Sequence, residues 1–472
     1  ASGSTLRSRW VDPIGDGQLR VGPGEPLADR LELGPRAAPG AVLATLAHMT
    51  DSHVLDAASP ARVPFLDRLG NPFESTFRPH ETLTTQVLAG AVAAIGALAP
   101  QLVIQGGDLI DNDQRNELEH ALAVLRGGSV RPGSGPNGYY GVQSALNPDP
   151  FYYRPEVDAP RHSGLLRRAT RAFASPGLRA LWAPVLGDHD ILVAGEIVPT
   201  SLTTALALGS RALWDLPRGL SLPPGAKLSA GSSPDGPPVP GLVDELLAKA
   251  LAGPTVPVPA DPARAEMFTD EVLTRLRIAS SRVPISDRGA PDRLDYTVDL
   301  GSHVRLIVLD LARRAGGSGG LVVSAQPTWL KRALAGAEAR WVIVVSHQPL
   351  TSSTGGDQLL AILDRAPRVI ATLAGHTHRN RIEPRPTAAG GYWLITTASL
   401  IDFPQQTRAI SVIATEGGGV ALRTWMLDHV FPGDLGTISR SLAYLDAQGG
   451  RPQDFAGSRL DRNVTLYRRA SG

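Results

Sequence analysis

Five short apolar runs in this chain are each followed by aspartate or histidine, often beside glycine. Apolar runs of this length predict buried strands, and open α/β sheets carry their polar sites beyond the carboxyl ends of strands. A chain with this pattern must fold so that those strand ends meet. The segments that follow the runs are Asp51-Ser52-His53, Gly106-Gly107-Asp108, Gly187-Asp188-His189-Asp190, Ser346-His347 and Gly375-His376-Thr377-His378.

Asp108 is the residue around which the pattern is centred. It follows the apolar run 101–105 and the pair Gly106-Gly107, which lets the backbone turn sharply at the strand end. An aspartate on such a turn has both carboxylate oxygens available, as a residue that bridges two cations requires. Taken by itself, this segment is better explained by an aspartate that caps a loop.

The sequence between these segments predicts alternating strands and helices, which is typical of an α/β fold. Apolar residues recur at helical spacing from Leu83 to Leu98 and end before Pro100, so a helix connects the strands that precede Asp51 and Asp108. Further strands are predicted at 41–47, 182–186, 296–300, 304–309, 341–345, 369–374, 392–397, 408–414 and 420–427, and helices at 326–335 and 357–366.

The predicted organisation is an N-terminal extension at 1–40, one large domain at 41–430 and a C-terminal tail at 431–472. Two long inserts are expected within the domain, at about 113–180 and 195–290. The middle of the second insert, residues 214–262, contains 11 of the 40 prolines and is expected to form a wrapping loop.

Composition narrows the chemistry that the site can perform. The 472 residues include no cysteine, which excludes disulfides, thiolate nucleophiles and cysteine-based zinc sites. The 46 basic and 45 acidic residues nearly balance, so no overall field favours nucleic acid or a membrane surface as a partner. No run of about 18 apolar residues, the length that spans a membrane, occurs in the sequence.

The five segments together predict a metal site. Carboxylate oxygens and imidazole nitrogens are ligands that suit manganese, iron, zinc, cobalt or nickel. Any one of these histidines, taken alone, is better explained as a packed or loop residue. Their recurrence after five strands, beside glycine, aspartate or another histidine, favours one shared site instead.

The ordered motifs resemble those of the calcineurin-like metallophosphoesterase family, which are Asp-x-His, Gly-Asp-x-x-Asp, Gly-Asn-His-Asp, a lone histidine after a strand, and Gly-His-x-His. The resemblance covers residues 51 to 378, and the closing strands extend it to about residue 428. It implies a four-layer α/β/β/α sandwich with two long inserts and an enzyme that hydrolyses a small-molecule phosphate ester, either a monoester or a diester. The long spacers resemble a bacterial branch that is exported by the twin-arginine route, so export after removal of a leader is expected.

Carried over to this chain, the resemblance implies two divalent or mixed-valence ions of manganese, iron, zinc or cobalt, bridged by Asp108. His189 would be a catalytic acid that holds no metal and steadies the phosphoryl oxygens or protonates the leaving group. The remaining ligands would be Asp51, His53 and His378 for the first ion, and Asp188, His347 and His376 for the second.

Two positions depart from relatives within the family. Asp188 stands where the family usually has asparagine, which adds one negative charge to the ligands of the second ion. Asp111 stands where purple acid phosphatases carry an iron-binding tyrosine, so a purple site is not expected. The alternative function is a non-catalytic metal-binding or scaffold protein on the same fold. Such proteins lose ligands or the acid histidine, whereas every one of those positions is filled here.

Three residues are predicted to contact the substrate. Asn112 follows the bridging aspartate closely, and an Asx-turn is its alternative role. Tyr152 and Arg154 lie in an aromatic, arginine-rich part of the first insert that could stack on an organic phosphate and pair with its charge. Packing of a long loop is the alternative for both. Asp190 is expected either to orient the acid histidine or to cap a loop, and His48 is expected to be a packing residue.

Overall fold

The computed structural model describes residues 2–69, 76–215, 217, 236, 242–449 and 454–470. Within these residues the α-helices are α1 (Thr84–Leu98), α2 (Arg115–Arg126), α3 (Leu165–Ala169), α4 (Ser201–Leu208), α5 (Leu242–Ala250), α6 (Thr269–Ala279), α7 (Gln326–Ala335), α8 (Gly356–Leu363) and α9 (Leu435–Gln448). The strands are β1 (Ser8–Val11), β2 (Arg20–Pro23), β3 (Ala28–Leu33), β4 (Pro39–Met49), β5 (Leu102–Gln105), β6 (Gly128–Val130), β7 (Phe173–Ser175), β8 (Leu181–Pro184), β9 (Arg211–Leu213), β10 (Thr255–Pro257), β11 (Ile285–Arg288), β12 (Tyr296–Leu300), β13 (Val304–Leu309), β14 (Trp341–Ser346), β15 (Val369–Ala374), β16 (Arg381–Arg385), β17 (Tyr392–Thr396), β18 (Gln406–Thr415), β19 (Val420–Asp428) and β20 (Val464–Arg468).

Most of the described strands belong to two seven-stranded mixed sheets. The first sheet has the order β3-β20-β19-β18-β4-β5-β8, and the second has the order β11-β12-β13-β14-β15-β17-β16. Strands β4, β5 and β8 run parallel in the first sheet, as do β13, β14, β15 and β17 in the second. Because the predicted motifs follow β4, β5, β8, β14 and β15, they all leave from carboxyl ends of parallel strands.

Side-chain alternation on β13 shows how the two sheets stack. Leu306 packs in a core cluster that also contains Ile410 of β18 in the first sheet. The next residue, Ile307, points to the opposite face and packs with Trp329 of α7 and Leu359 of α8. The second sheet is therefore buried on both faces, between the first sheet and this pair of helices, as its continuous apolar strands require.

The outer face of the first sheet is covered by α1. Ala409 of β18 lies next to a core residue in sequence and packs on the other side of the sheet, against Ala94 of α1. The stretch Glu81–Leu98 has the length and mean hydropathy of a membrane-spanning helix, but 78% of it is buried inside the protein. The layers thus follow the order helices, sheet, sheet, helices, which confirms the predicted α/β fold. The predicted core strands and helices match the observed ones to within three residues at either end.

The segments predicted as an N-terminal extension, 1–40, and as a C-terminal tail, 431–472, both contribute strands to the first sheet. β20 pairs with β19 on one side and runs parallel to β3 on the other. α9 contacts α1 in the outer helical layer. Without these two strands, β19 would present an unpaired edge to solvent, so the terminal segments complete the domain.

Both predicted inserts contribute elements that pack against the core. The first, 113–180, begins with α2, which packs beside α1, and the second, 195–290, ends with β11 at the edge of the second sheet. Residues 70–75, 216, 218–235, 237–241 and 450–453 lie outside the described residues, and they include much of the proline-rich stretch 214–262.

A buried ion pair ties both inserts to the loop after β4. Arg264 of the second insert and Asp56 of that loop have no exposed side-chain surface, and the Nε and Oδ2 atoms are 2.9 Å apart. Ser134 of the first insert and Asn116 of α2 donate hydrogen bonds to the same carboxylate. The pair therefore fixes three segments next to the loop that carries Asp51.

We expect Arg264→Ala to destabilise the protein by about 3–5 kcal/mol, because the Asp56 carboxylate would remain buried without its partner. The matched control is Arg332→Ala, whose partner Asp287 is also a carboxylate but whose pair is exposed to solvent, and it should cost about 1 kcal/mol or less. The midpoints of urea denaturation compare the two variants. Equal shifts would show that the buried pair has no special role.

Candidate metal centre

The loops after the parallel strands are joined to one another by their backbones. Asp51 N donates to Gly107 O at 3.0 Å, and His53 N donates to Asp108 O at 3.1 Å. In the second sheet, Gly375 N donates to His347 O at 2.9 Å. These bonds continue the strand pairing past the strand ends, so the segments that follow β4, β5, β14 and β15 stay in register.

The two sheets meet at this edge through side chains. His376 N of the second sheet donates to Asp51 Oδ1 of the first at 3.0 Å. The His347 ring lies against the backbone after β5, with Nδ1 2.8 Å from Gly106 O. The motifs of both sheets therefore converge on a single site, as the sequence predicted.

Five of the residues predicted as metal ligands have a left-handed backbone, which non-glycine residues seldom adopt. The φ angles are 52° at Asp51, 42° at His53, 49° at Asp108, 63° at His376 and 55° at His378. Each such residue costs about 1–3 kcal/mol, and the cost is tolerated where the surrounding structure enforces it. The chain thus accepts strain at this edge in order to turn these side chains inward.

Asp190 holds the strained turn after β5 in place. Its carboxylate accepts hydrogen bonds from the backbone N–H groups of Asp108, Leu109, Ile110 and Gly187, at 2.8 to 3.3 Å. Of the two roles predicted for Asp190, the structure supports loop capping.

Glycine is required where these turns approach one another. Gly107 has a φ of 97°, and a Cβ atom there would lie 2.3 Å from His347 Nδ1. A Cβ atom on Gly187 would lie 2.1 Å from Asp108 Oδ1. A side chain at either position would displace a residue of the site.

The predicted ligands form two groups that share Asp108. Within each group the potential ligand atoms lie within 4.8 Å of one another. The first group is Asp51, His53, Asp108 and His378, and the second is Asp108, Asp188, His347 and His376. This is the same partition that the resemblance implied, and either group could hold a metal ion.

Distances within the first group are short for atoms that carry lone pairs. His378 Nε2 is 3.2 Å from Asp51 Oδ1, and His53 Nε2 is 3.7 Å from Asp108 Oδ2. The two Nε2 atoms of His53 and His378 are only 3.3 Å apart.

The second group is similarly compact. His347 Nε2 lies 3.0 Å from Asp108 Oδ2 and 3.3 Å from Asp188 Oδ1. His376 Nδ1 lies 3.4 Å from the same Asp188 oxygen. His347 is almost fully buried, as are Asp51, Asp108 and Asp188, so water cannot screen these contacts.

The outer nitrogens of three histidines already have acceptors. Nδ1 of His378 is 2.5 Å from Asp402 Oδ2, Nδ1 of His53 is 3.0 Å from Asp111 Oδ1, and Nδ1 of His347 faces the Gly106 carbonyl. The Nδ1 atoms therefore carry the protons, and the Nε2 lone pairs point at carboxylates and at each other. Carboxylate–histidine pairs of this kind are the usual surroundings of metal-binding histidines. The donor atoms fit metal ions.

The clustered carboxylates and imidazoles of this site require positive charge, which either protons or metal ions can supply. Burial lowers the pKa of His378, but the carboxylates of Asp51 and Asp402 outweigh burial and raise it to about 9. Burial likewise opposes a positive charge on His347, yet Asp108 and Asp51 raise its pKa well above the ordinary value. Protons therefore supply the charge when ions are absent, and binding of metal would release them.

His189 lies beside both groups but belongs to neither. Its ring stands edge-on to His53, with the ring centroids 4.4 Å apart, and its Nδ1 is 2.6 Å from Asp111 O. Its Nε2 is 3.9 Å from Asp188 Oδ2. Burial lowers the pKa of His189, but Asp108, Asp188 and Asp111 outweigh burial and raise it. His53, Asp111 and His189 also form a third group of potential ligand atoms, which overlaps the first at His53.

The sequence did not identify the residues that support the ligands. Arg78 pairs with Asp402, the partner of His378, at 2.6 Å, and Arg62 lies 3.6 Å from Asp111, the partner of His53. Asp111 is visible in retrospect as the last residue of the Gly-Asp-x-x-Asp motif. Asp402 follows no motif, so only the fold reveals it.

Gln348 supports the second group. Its Nε2 atom donates to Asp188 Oδ1 and to Ser318 O, both at 3.0 Å. It follows His347 directly, although nothing in the sequence marks its role. The glycine-rich loop 316–320 is thereby held next to the second group.

Tyr152 and Arg154, two of the predicted substrate residues, make their described contacts within the protein. The Tyr152 side chain has no exposed surface, packs against Phe77 and donates its hydroxyl to Trp214 O. The Arg154 guanidinium is bonded to both carboxylate oxygens of Asp158. Both side chains are used to pack the first insert, which was the alternative role.

Asn112 and His48 also have partners within the protein. Asn112 Oδ1 accepts a hydrogen bond from Ala194 N at 2.9 Å, and the residue is buried, which favours a local structural role over substrate contact. His48 Nδ1 is 2.9 Å from Thr397 Oγ1 in the core, as expected of a packing residue.

Solved structures with similarity to this chain include three hydrolases. A dimetal phosphatase from Danio rerio has a TM-score of 0.40 and 13% identity, with 82% of this chain and 100% of that chain covered. A purple acid phosphatase from yellow lupin (Lupinus luteus) seeds has a TM-score of 0.34 and 10% identity, with coverage of 83% and 52%. Sulfate thiohydrolase SoxB of Thermus thermophilus has a TM-score of 0.30 and 14% identity, with coverage of 88% and 61%.

No family model matches the chain, and no curated protein matches it either. The solved structures are too distant to identify the activity or the substrate of this chain, for which the geometry of the site is the guide.

We predict that the purified protein holds two metal ions per chain. Asp108→Ala should weaken both, because Asp108 belongs to both groups, whereas His347→Ala should chiefly affect one. The matched control is His303→Ala, since His303 is exposed on the surface and should leave the metal content unchanged. Elemental analysis before and after reloading measures the ions. One ion or fewer, with no gain on reloading, would contradict the prediction.

Proposed function

We propose that this protein is a calcineurin-like metallophosphoesterase that hydrolyses phosphate esters with two metal ions. The observation that carries the proposal is the pair of buried ligand groups that share Asp108, with the His189 imidazole beside them and outside both. Two ions held at such groups would polarise the phosphoryl oxygens and lower the pKa of an attacking water molecule. The ligands, the acid and the supports of both come from the chain itself.

His189 supplies the proton for the leaving group in this proposal. Its Nδ1–H is held by the Asp111 carbonyl, so Nε2 is the nitrogen that faces the ligand groups. The surrounding carboxylates favour the imidazolium form, in which Nε2 carries a proton. The departing alkoxide or phenoxide oxygen takes that proton, and the neutral imidazole is left to be reprotonated from solvent.

Asp111 orients both His189 and the ligand His53. Its carbonyl oxygen binds His189, and its carboxylate oxygen Oδ1 binds His53. Arg62 lies beside the other carboxylate oxygen and is itself paired with Glu81 at 2.6 Å. The acid and one ligand are therefore fixed relative to each other through a single residue.

The net charge of the site favours phosphate diesters, which carry less negative charge than monoesters. Asp51, Asp108 and Asp188 contribute three negative charges, against about four positive charges from two divalent ions. An asparagine in place of Asp188 would leave one more positive charge. We therefore expect phosphate diesters to be hydrolysed at least as well as monoesters.

A substrate panel tests the proposed function. Protein stripped of metal and reloaded with manganese, zinc, cobalt or iron should hydrolyse aryl phosphate monoesters or diesters. Aryl sulfate esters and thioesters are assayed in parallel, because metal sites of this kind are not restricted to phosphorus by their ligands. Hydrolysis of sulfate esters alone would replace the phosphoesterase proposal, and inactivity on every ester with two ions bound would favour the non-catalytic alternative.

We predict that His189→Ala lowers turnover by about 100-fold or more on esters with poor leaving groups, since a general acid usually contributes on that scale. Metal content should remain at the level of the unmodified protein. The loss should shrink for nitrophenyl esters, whose leaving groups depart without protonation. An equal loss on good and poor leaving groups would make His189 a clamp for the phosphoryl oxygens instead of an acid.

A further inference from the structure

The C-terminal segment 454–457 lies directly beside the Gly-His-Thr-His motif. The Phe455 ring stands 5.9 Å from the His378 ring, centroid to centroid, with an angle of 62° between the planes. Its side chain is half-buried. An aromatic ring from a distant part of the sequence is thus placed against a predicted ligand of the first ion.

The backbone fixes the position of this ring. Asn380 N, two residues after His378, donates to Phe455 O at 2.8 Å, and Asn380 Nδ2 donates to Ala456 O at 3.3 Å. Gly457 has a φ of 66°, and a Cβ atom there would lie 2.2 Å from Asn380 O. Only glycine allows the segment to approach so closely.

Asn380 is itself immobilised in the core. It is buried, and its Oδ1 atom accepts hydrogen bonds from Ala398 N at 3.0 Å and from Arg408 Nη2 at 2.9 Å. The ring of Phe455 is therefore attached, through one well-anchored residue, to the same turn that carries His378. The location of the ring beside the candidate metal centre is therefore fixed by hydrogen bonds to a core residue.

Phe455 does not contribute to the hydrophobic core. Among the described residues, it belongs to none of the clusters of packed apolar side chains. Its one described ring contact is with the His378 imidazole. A half-buried phenyl group beside a polar centre leaves part of its apolar surface uncovered, and that surface gains free energy when a ligand covers it.

We propose that Phe455 determines substrate specificity by packing against an aromatic group that is esterified to the phosphate. The inference rests on the proposed function and narrows it to phosphate esters of ring-bearing alcohols. Ring pairs prefer edge-to-face or offset geometry at centroid separations of about 4.5–7 Å, and Phe455 is fixed rigidly enough to present one such partner without further ordering.

Binding of non-hydrolysable analogues tests the proposal without any turnover. Calorimetry on the ion-loaded protein compares benzylphosphonate with ethylphosphonate, which share the phosphonate head and differ in the ring. The unmodified protein should prefer benzylphosphonate by about 3- to 10-fold, the scale of one aromatic pair. Phe455→Ala should abolish the preference and leave ethylphosphonate binding within about 2-fold.

Two further variants distinguish packing against a substrate ring from a general effect of removing an aromatic side chain. Phe268→Ala removes a ring that is 76% exposed elsewhere on the surface, and it should keep the preference intact. Phe455→Leu retains apolar bulk without the ring and should lose most of the preference. Metal content must stay constant in all three variants. A fall in metal affinity for Phe455→Ala, or an equal loss of both phosphonates, would overturn the proposal and make Phe455 a support for His378.

Kinetics distinguish failure of the inference from failure of the proposed function. Benzyl phosphate and ethyl phosphate release similar alcohols, so Phe455→Ala should raise the KM for the benzyl ester alone. If no phosphate ester is hydrolysed but the benzylphosphonate preference depends on Phe455, the proposed function is wrong and the aromatic subsite stands. If both esters are hydrolysed and no preference exists, the subsite is wrong and the phosphoesterase proposal stands.

Discussion

The convergence of buried lone pairs at one edge of two sheets is the constraint on which the rest of this structure depends. Three aspartates and four histidines point their acceptor atoms into a volume where the closest contacts are 3.0–3.3 Å. Such an arrangement is repulsive unless positive charge balances it. This convergence explains the strained turns at Asp51, Asp108 and His376, since each turn directs a potential ligand atom toward the shared centre.

Charge alternates outward from the centre. His378 is bonded to Asp402, and Asp402 to Arg78, while His53 is bonded to Asp111, beside which Arg62 is paired with Glu81. Asp402 and Asp111 thus each have a buried arginine beside them, as buried charges require. Arg62, Arg78 and Glu81 all lie between β4 and α1, in a stretch where no sequence pattern indicated a function. These three residues therefore support the centre, because the partners of two predicted ligands are paired with them or lie beside them.

The sequence was sufficient to predict the core elements and to pick out the seven potential ligands, because both are marked by local patterns. A buried strand is an apolar run, and each ligand follows one. The supports were not predictable, since Asp402 and Gln348 act through contacts that join segments far apart in the chain and have no periodic signal. The sequence left two roles open for the aromatic and arginine-rich stretch around Tyr152, for a related reason. Composition shows that rings and guanidinium groups are present, but only packing shows whether they face a cavity or, as here, one another. The terminal strands β3 and β20 were missed because neither has the continuous apolar character of a strand buried on both faces.

The ligand groups come from strand ends, whereas the segments that surround them, here called the rim, come from loops. Ligand atoms leave regular strands, where the register of two sheets fixes them, and so they form a generic site that could serve many esters. The rim is assembled from segments that are held at the centre by a few hydrogen bonds, namely the loop at Ser318 held by Gln348 and the segment at Phe455 held by Asn380. The sequence of such segments can change without disturbing the sheets, because the core residues bind their backbone carbonyl groups and not their side chains. Specificity is therefore expected to vary at the rim while the chemistry at the strand ends stays the same, and Phe455, attached two residues from His378, lies at the boundary between the two.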